Sequence, residues 1–275
     1  MNIAYRNIPK KEELKHIKNI KVNGYSIIKN FIPKKIISQY LRLTKKTYKD
    51  QKTNSNTPKV WNTAKIIYNL QSKNISFLRI FNAIFFEKIL IKKINDPHFR
   101  NLEKNKPNYI LNNLIARSSG NGKLFLHIDS GIPTGDVTTF MQIMIPLEST
   151  NLQTGCTVVV PKSHKSKKFT NRKTKKFTLV QGDPGDVFIW DGNLWHGSLP
   201  NQTNDTRWSL IATFSNWQFK QVFDIPRSIK QKIYTKLTVK EKILLGYLGI
   251  PSNSEYKRVT RSISVNQLEK NVRNY

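Results

Sequence analysis

Apolar and polar residues follow two different periods along this chain, and the period changes near residue 108. Before that point apolar positions recur three and four apart, the spacing of one helical face. Ile32-Pro33 opens such a pattern, which continues through Tyr40 and Leu43. Residues 77–94 are the richest apolar stretch, but Arg79, Asn82, Glu87, Lys88, Lys92 and Lys93 interrupt it. It reads as one amphipathic helix with Ser76 as N-cap, too broken by charge to span a bilayer. One early strand is expected at residues 24–28, and the polar residues 50–60, carrying Pro58, mark a loop.

From residue 108 onward short β-prone runs dominate, at 109–115, 124–128, 138–146, 157–160, 177–180, 187–190 and 208–214. Gly120-Asn121-Gly122, Asp183-Pro184-Gly185-Asp186 and Asp191-Gly192-Asn193 punctuate them. Short strands with irregular connections predict an antiparallel double-sheet barrel of the jelly-roll kind. Helical pattern returns after residue 225, where Thr238-Val239-Lys240-Glu241 is a capping box ahead of Ile243, Leu244, Leu245, Tyr247 and Leu248. The expected organisation is one mainly β domain over 1–275. Its jelly-roll core covers about 108–217, its helical N-terminal part about 10–107, and its C-terminal helical extension about 225–275.

Composition adds less than its numbers promise. The formal net charge is +30, from 47 basic and 17 acidic residues. Such an excess points to nucleic acid, an anionic membrane or a polyanionic substrate. The lysines are nevertheless spread along the whole chain among Asn and Ile, the pattern of an A/T-biased coding sequence. Their longest cluster, Lys162 to Lys176, falls in an expected surface loop. A basic solvated surface is therefore the first reading, with polyanion binding second. The lone cysteine, Cys156, excludes an internal disulfide and any four-cysteine zinc site. No apolar run marks a secretory leader or a membrane span, so a cytoplasmic protein is expected.

The chemistry concentrates in four positions. His127-Ile128-Asp129 ends the 124–128 run, and on a strand residues i and i+2 share a face, so an imidazole and a carboxylate point together. His196 follows a second strand, far in sequence but within reach across a two-sheet fold. Two histidines and one carboxylate with open positions form the donor set of non-haem iron(II) oxygenases, although zinc accepts the same donors. Arg207 opens the next strand, and its guanidinium fork suits the far carboxylate of a 2-oxoglutarate chelated to such a metal. Each feature alone is common; their order along the chain carries the reading.

Residues 154–165, Thr-Gly-Cys-Thr-Val-Val-Val-Pro-Lys-Ser-His-Lys, and 182–198, Gly-Asp-Pro-Gly-Asp-Val-Phe-Ile-Trp-Asp-Gly-Asn-Leu-Trp-His-Gly-Ser, resemble the phytanoyl-CoA dioxygenase family. The Gly24-Tyr25 strand with Phe31-Ile32-Pro33, and the late Leu245-Gly246-Tyr247, resemble its opening and close. The resemblance implies a double-stranded β-helix (a cupin-like jelly roll) and an oxygenase using Fe(II), 2-oxoglutarate and O2. It implies that His127, Asp129 and His196 are the iron ligands and that Arg207 anchors 2-oxoglutarate. Ser198 matches a position that helps to hold the same carboxylate, and Gln142 and Met144 share a strand face that lines the pocket. His164 belongs to a structural loop and is not expected to ligate. Lys162 stands where the family usually carries glycine, and Met144 where many members carry tryptophan.

Related halogenases lack the carboxylate, so Asp129 makes hydroxylation of an unactivated C–H bond the expected reaction. The expected substrate is a small metabolite, with a phosphate-bearing or CoA-linked molecule as one form of it. Three other classes share some of these features: a nucleic-acid-directed oxygenase, a non-catalytic jelly-roll binding module, and a zinc hydrolase.

Overall fold

A strand covered on one side alternates buried and exposed residues, yet the strand at 140–146 is buried throughout, and the computed structural model shows what covers each side. The structure describes residues 3–51, 64–98, 106–122, 124–169, 174, 176–247 and 250. Its N-terminal part holds α1 (Lys10–Asn23), β1 (Tyr25–Ile28), α2 (Lys34–Asp50), β2 (Ile66–Ile67), α3 (Leu70–Lys73), α4 (Ser76–Arg79) and α5 (Ile84–Ile94). Strands β3 (Ile110–Ser118), β4 (Phe140–Pro146), β5 (Thr157–Val159), β6 (Thr178–Val180), β7 (Val187–Asp191), β8 (His196–Ser198) and β9 (Trp208–Ser215) follow. Short helices α6 (Ile225–Ser228), α7 (Gln231–Tyr234) and α8 (Val239–Leu244) come last. Among the described residues no helix is long and apolar enough to cross a membrane.

The strands form two antiparallel sheets, one ordered β1-β7-β4-β9-β3-β2 and the other β6-β5-β8. On the large sheet Met141, Ile143, Val187, Ile189, Trp208, Leu210 and Phe214 face outward into the main core beneath the helices. The alternate residues Met144, Phe188 and Trp190 face inward, meeting Val159 and Leu194 from the small-sheet side. Leu126, Ile128, Val158 and Trp195 pack together on the far side of the small sheet. The mainly β, jelly-roll expectation holds, but hydrogen bonds do not close the two sheets into a cylinder among the described residues. The large sheet also recruits β1 and β2 from the N-terminal part, so its edges lie outside 108–217.

Two expectations need correction. Residues 77–94 do not form one helix, because the chain turns extended at Ala83 (φ −65°, ψ 135°) between α4 and α5. Phe77, Leu78, Ile80, Phe81, Phe85 and Phe86 are all buried. One straight helix buries a single stripe, whereas two short ones aim all of these side chains into the same core. Ser76 is accordingly the first residue of α4, and its N–H is held by Asn74 Oδ1. Residues 124–128 are not a regular strand either; their ladder is a single bridge between His127 and His196. The capping box at Thr238 and Glu241 is present as expected. Leu248 and most of residues 50–60 lie outside the described residues.

Candidate metal centre

The bridge that replaces a strand at 124–128 joins the two histidines directly. His127 N–H donates to His196 O (2.9 Å), and His196 N–H donates to His127 O (3.0 Å). Gly197 permits this approach, since a Cβ there would stand 2.8 Å from Phe125 O. Two residues on, Asp129 N–H donates to Gly192 O (2.9 Å), so Asp129 stays beside His127 while Ile128 packs behind. His127 and Asp129 therefore share one face without a full strand.

One nitrogen or oxygen from each of His127, Asp129 and His196 lies within 4.8 Å of the others. His127 Nε2 is 3.7 Å from Asp129 Oδ1, and His196 Nε2 is 3.3 Å from Asp129 Oδ2. Both rings place Nδ1 against a main-chain carbonyl, His127 on Phe125 O (3.2 Å) and His196 on Leu194 O (2.9 Å). A proton on Nδ1 satisfies those carbonyls and leaves both Nε2 lone pairs turned toward the carboxylate, the tautomer a metal requires. Burial lowers the pKa of His127 and the charge of His196 adds to this, together outweighing Asp129 and the Phe125 carbonyl, which raise it. The neutral, metal-competent imidazole is thereby favoured.

The surroundings hold these ligands in place. Trp190 Nε1–H donates to Asp129 Oδ2 (3.3 Å), and its ring packs 5.2 Å from that of His196. Asn193 clasps the segment after Asp129: its Oδ1 accepts from Ser130 Oγ (2.8 Å), and its Nδ2 donates to Val137 O (3.0 Å). Asp191 accepts from Thr138 Oγ1 and from Asn193 N–H. The turn before His196 and the loop after Asp129 are thus one hydrogen-bonded unit. Sequence reasoning assigned Trp190 and Asn193 no role; alternation along β7, which faces Trp190 inward, was the available signal.

Arg207 is buried on the same inner face as Ser209. Its Nη2 donates to Gly155 O (2.5 Å), its Nη1 to Ser209 Oγ (3.1 Å), and its Nε has no partner. Burial pulls its pKa down to about 10, and the like charge of Arg117 adds to the effect. Ser198 shares a face with His196 by the two-residue period of β8 and is exposed. No hydrogen bond joins it to Arg207 among the described residues; Ser209, absent from the sequence expectation, is the hydroxyl that contacts the guanidinium. Gln142 and Met144 are buried on the inner face of β4, where Gln142 Oε1 accepts from Thr213 Oγ1 (2.7 Å) and Met144 packs in the inter-sheet cluster. His164 stands apart from the ligand cluster, with Nε2 on Lys21 O (3.2 Å). Lys162 adopts φ 67°, a left-handed conformation, which explains why glycine suits that position.

The donor set fits a divalent transition metal: two imidazoles and one carboxylate, joined among the described residues by no thiolate and no third histidine that would complete a closed site. A keto acid also fits. Arg207 Nε is a buried donor without a partner among the described residues, as a donor is when a bound carboxylate completes it.

A family model described as phytanoyl-CoA dioxygenase matches residues 20–209, more than half of the chain. The chain belongs to the phytanoyl-CoA dioxygenase family. The match takes in every proposed phytanoyl-CoA dioxygenase site residue, from His127 to Arg207. An uncharacterised protein of Mycobacterium tuberculosis is 28% identical over 109 residues, covering 39% of this chain and 40% of the relative. A dioxygenase of Epichloe uncinata, lolE1, is 28% identical over 97 residues, covering 32% and 38%. The chain thus spans about 40% of the length of the curated relatives it matches. Among solved structures, the non-heme alpha-ketoglutarate-dependent epimerase SnoN superposes with TM-score 0.61 at 14% identity, over 76% of this chain and 82% of SnoN. The carbocyclase SnoK gives 0.59 at 13%, over 86% and 94%. HygX from Streptomyces hygroscopicus, with nickel, 2-oxoglutarate and hygromycin B bound, gives 0.59 at 14%, over 75% and 88%. These likenesses establish the shared fold.

Proposed function

We propose that the chain, working as one domain over 1–275, is an iron(II)- and 2-oxoglutarate-dependent oxygenase that hydroxylates an unactivated C–H bond of a small molecule. The observation that carries this reading is the convergence of His127, Asp129 and His196, with both Nε2 atoms turned toward the carboxylate. These three would hold the metal. When bound, iron(II) with 2-oxoglutarate and O2 supplies the oxidising power for C–H cleavage, 2-oxoglutarate leaving as succinate and CO2.

The chain's own residues bind, orient and exclude water. Trp190 fixes the Asp129 carboxylate through one oxygen, and the Asn193 clasp keeps the Asp129 segment in register with His196. Arg207, backed by Ser209 and with Ser198 on the facing sheet, would receive the far carboxylate of 2-oxoglutarate, a charge-assisted contact that completes its open Nε. Gln142 and Met144 would line the pocket wall. The carboxylate at Asp129 favours hydroxylation over halogenation, because it would itself serve as a metal ligand where related halogenases, lacking it, would leave room for a halide. SnoN and HygX structures with bound nogalamycin RO and hygromycin B support a small-molecule substrate. A cytoplasmic setting agrees with the single, buried, free Cys156.

An anaerobic titration of metal-free protein with iron(II) and 2-oxoglutarate tests the reading. A visible charge-transfer band that requires both components and disappears in His196→Ala is the expected result. No band, together with no iron retained, would overturn it.

A further inference from the structure

A cavity of about 520 Å³ lies away from the three metal ligands, between the C-terminal ends of α1 and α5 and the turn at residues 163–165. Lys21, Lys92, Lys93 and Lys165 line it, facing two carboxylates, Asp136 and Asp191. Asp191 is already engaged by Thr138 Oγ1 and Asn193 N–H. No ion pair joins any of the four lysines to a carboxylate among the described residues. Ile17, Ile20 and Ile89 supply an apolar floor.

A lysine in the last turn of a helix is ordinary, since it complements the negative end of the macrodipole. That accounts for Lys21, Lys92 and Lys93 one by one. It does not require two helix ends to meet, nor Lys165 to join them from a separate turn. Lys21, Lys92 and Lys165 are exposed at the cavity and Lys93 is half-buried, so four ammonium groups share one opening. Burial lowers the pKa of Lys93; among the charges, Asp191 and Asp136 raise it while Lys21 and Lys165 lower it, so both signs are felt inside the cavity. Four lysines against two carboxylates leave the lining with an excess of positive charge, which favours an anion. A multiply charged anion relieves the repulsion, and phosphate is the anion that lysines bind well as point charges. The volume falls in the range of small-molecule sites, roughly 300–1,000 Å³, and exceeds a bare phosphate.

We propose that this cavity binds a small organic phosphate, its anionic group held by Lys21, Lys92, Lys93 and Lys165 and its organic part lying on the isoleucine floor. The cavity contains none of the three metal ligands, although Asp191 and Thr138 belong both to its wall and to the clasp beside Asp129.

Calorimetric titration of the full chain with 4-nitrophenyl phosphate and with inorganic phosphate tests this. Saturable one-to-one binding is expected, the aryl ester binding more tightly. Lys93→Gln with Lys165→Gln should weaken it at least tenfold, and Lys21→Gln alone severalfold. Lys34→Gln with Lys35→Gln removes the same charge from the exposed start of α2 and should change binding less than twofold. Four results would overturn the proposal. Neither probe binds saturably; both double variants lose affinity equally, which is generic charge; inorganic phosphate binds as tightly as the ester; or an oligothymidylate binds more tightly than the ester with the same sensitivity to Lys93 and Lys165, which points to nucleic acid.

Discussion

Replacing Arg207 by methionine tests the 2-oxoglutarate assignment through stability rather than turnover. In the ligand-free protein this guanidinium is buried against neutral acceptors, Gly155 O and Ser209 Oγ, with Nε unpartnered. The fall of its pKa from 12.5 to about 10 corresponds to roughly 3 kcal/mol held against the charged form. Arginine is charged at pH 7 both folded and unfolded, so folding bears this penalty in full. Methionine removes it but leaves the Gly155 carbonyl without its donor, a loss of about 1–3 kcal/mol. The two effects nearly cancel, and the free variant should unfold within about 1 kcal/mol of the parent, a midpoint change of about 2–4 °C. A buried arginine pinned by a carboxylate would instead lose about 3–5 kcal/mol on truncation. The ligand then separates the readings. With manganese(II) present and oxygen excluded, 2-oxoglutarate at a hundredfold excess over its Kd should stabilise the parent by about 2.7 kcal/mol. The variant should gain nothing beyond the effect of metal alone. Thermal unfolding followed by tryptophan fluorescence reads both quantities. A variant several kcal/mol less stable, yet showing the same 2-oxoglutarate shift, would make Arg207 a structural pin and refute the reasoning.

Three further outcomes follow from contacts described above. Trp190→Phe keeps the ring beside His196 but removes the donor to Asp129, and should weaken metal affinity by about 10–100-fold, measured by competition with a chelating dye, with little change in fold. Lys162→Gly should raise stability by about 1 kcal/mol in denaturant unfolding, because glycine adopts φ 67° without the left-handed penalty; a loss would show that the lysine side chain contributes more than its backbone strain removes. Burial alone would raise the Glu241 pKa, but hydrogen bonds from Arg79 and Thr238 outweigh it and hold it below the usual carboxylate value. Its stabilising contribution is therefore complete above the unfolded-state pKa and lost as pH falls through the lower folded one. Glu241→Gln should destabilise at pH 7, and the difference should fade in acid unfolding titrations; a pH-independent difference would contradict the ion-pair account.

The site was more legible in the sequence than the frame that builds it. His127, Asp129 and His196 stand out because few residue types donate to metals, and a two-residue spacing places two of them on one face. Gln142, Met144 and Ser198 came from the family resemblance instead, and the structure puts the first two on the inner side of β4 and Ser198 on the face of His196. The break at Ala83 was hidden, since residues 77–94 are compatible with one helix and only the position of the shared core favours two. Nor does any local pattern tell β1 to pair with β7, or β2 with β3. Trp190, Asn193 and Ser209 acquire their roles from neighbours distant in sequence, which one-dimensional periodicity does not report.

The reciprocal main-chain bridge between His127 and His196 has a consequence for how the protein would gain and lose its ion. The separation of the two imidazoles is set by peptide groups, which form with or without a metal. Most of the entropy of gathering the ligands is therefore spent during folding and not at loading. Chelation should leave an intact shell that reloads within the mixing time, and the emptied and loaded forms should melt with equal sharpness at different temperatures. Loading then becomes a reversible equilibrium with the surrounding metal supply, in which the ions compete on bond strength and abundance rather than on their capacity to organise the chain.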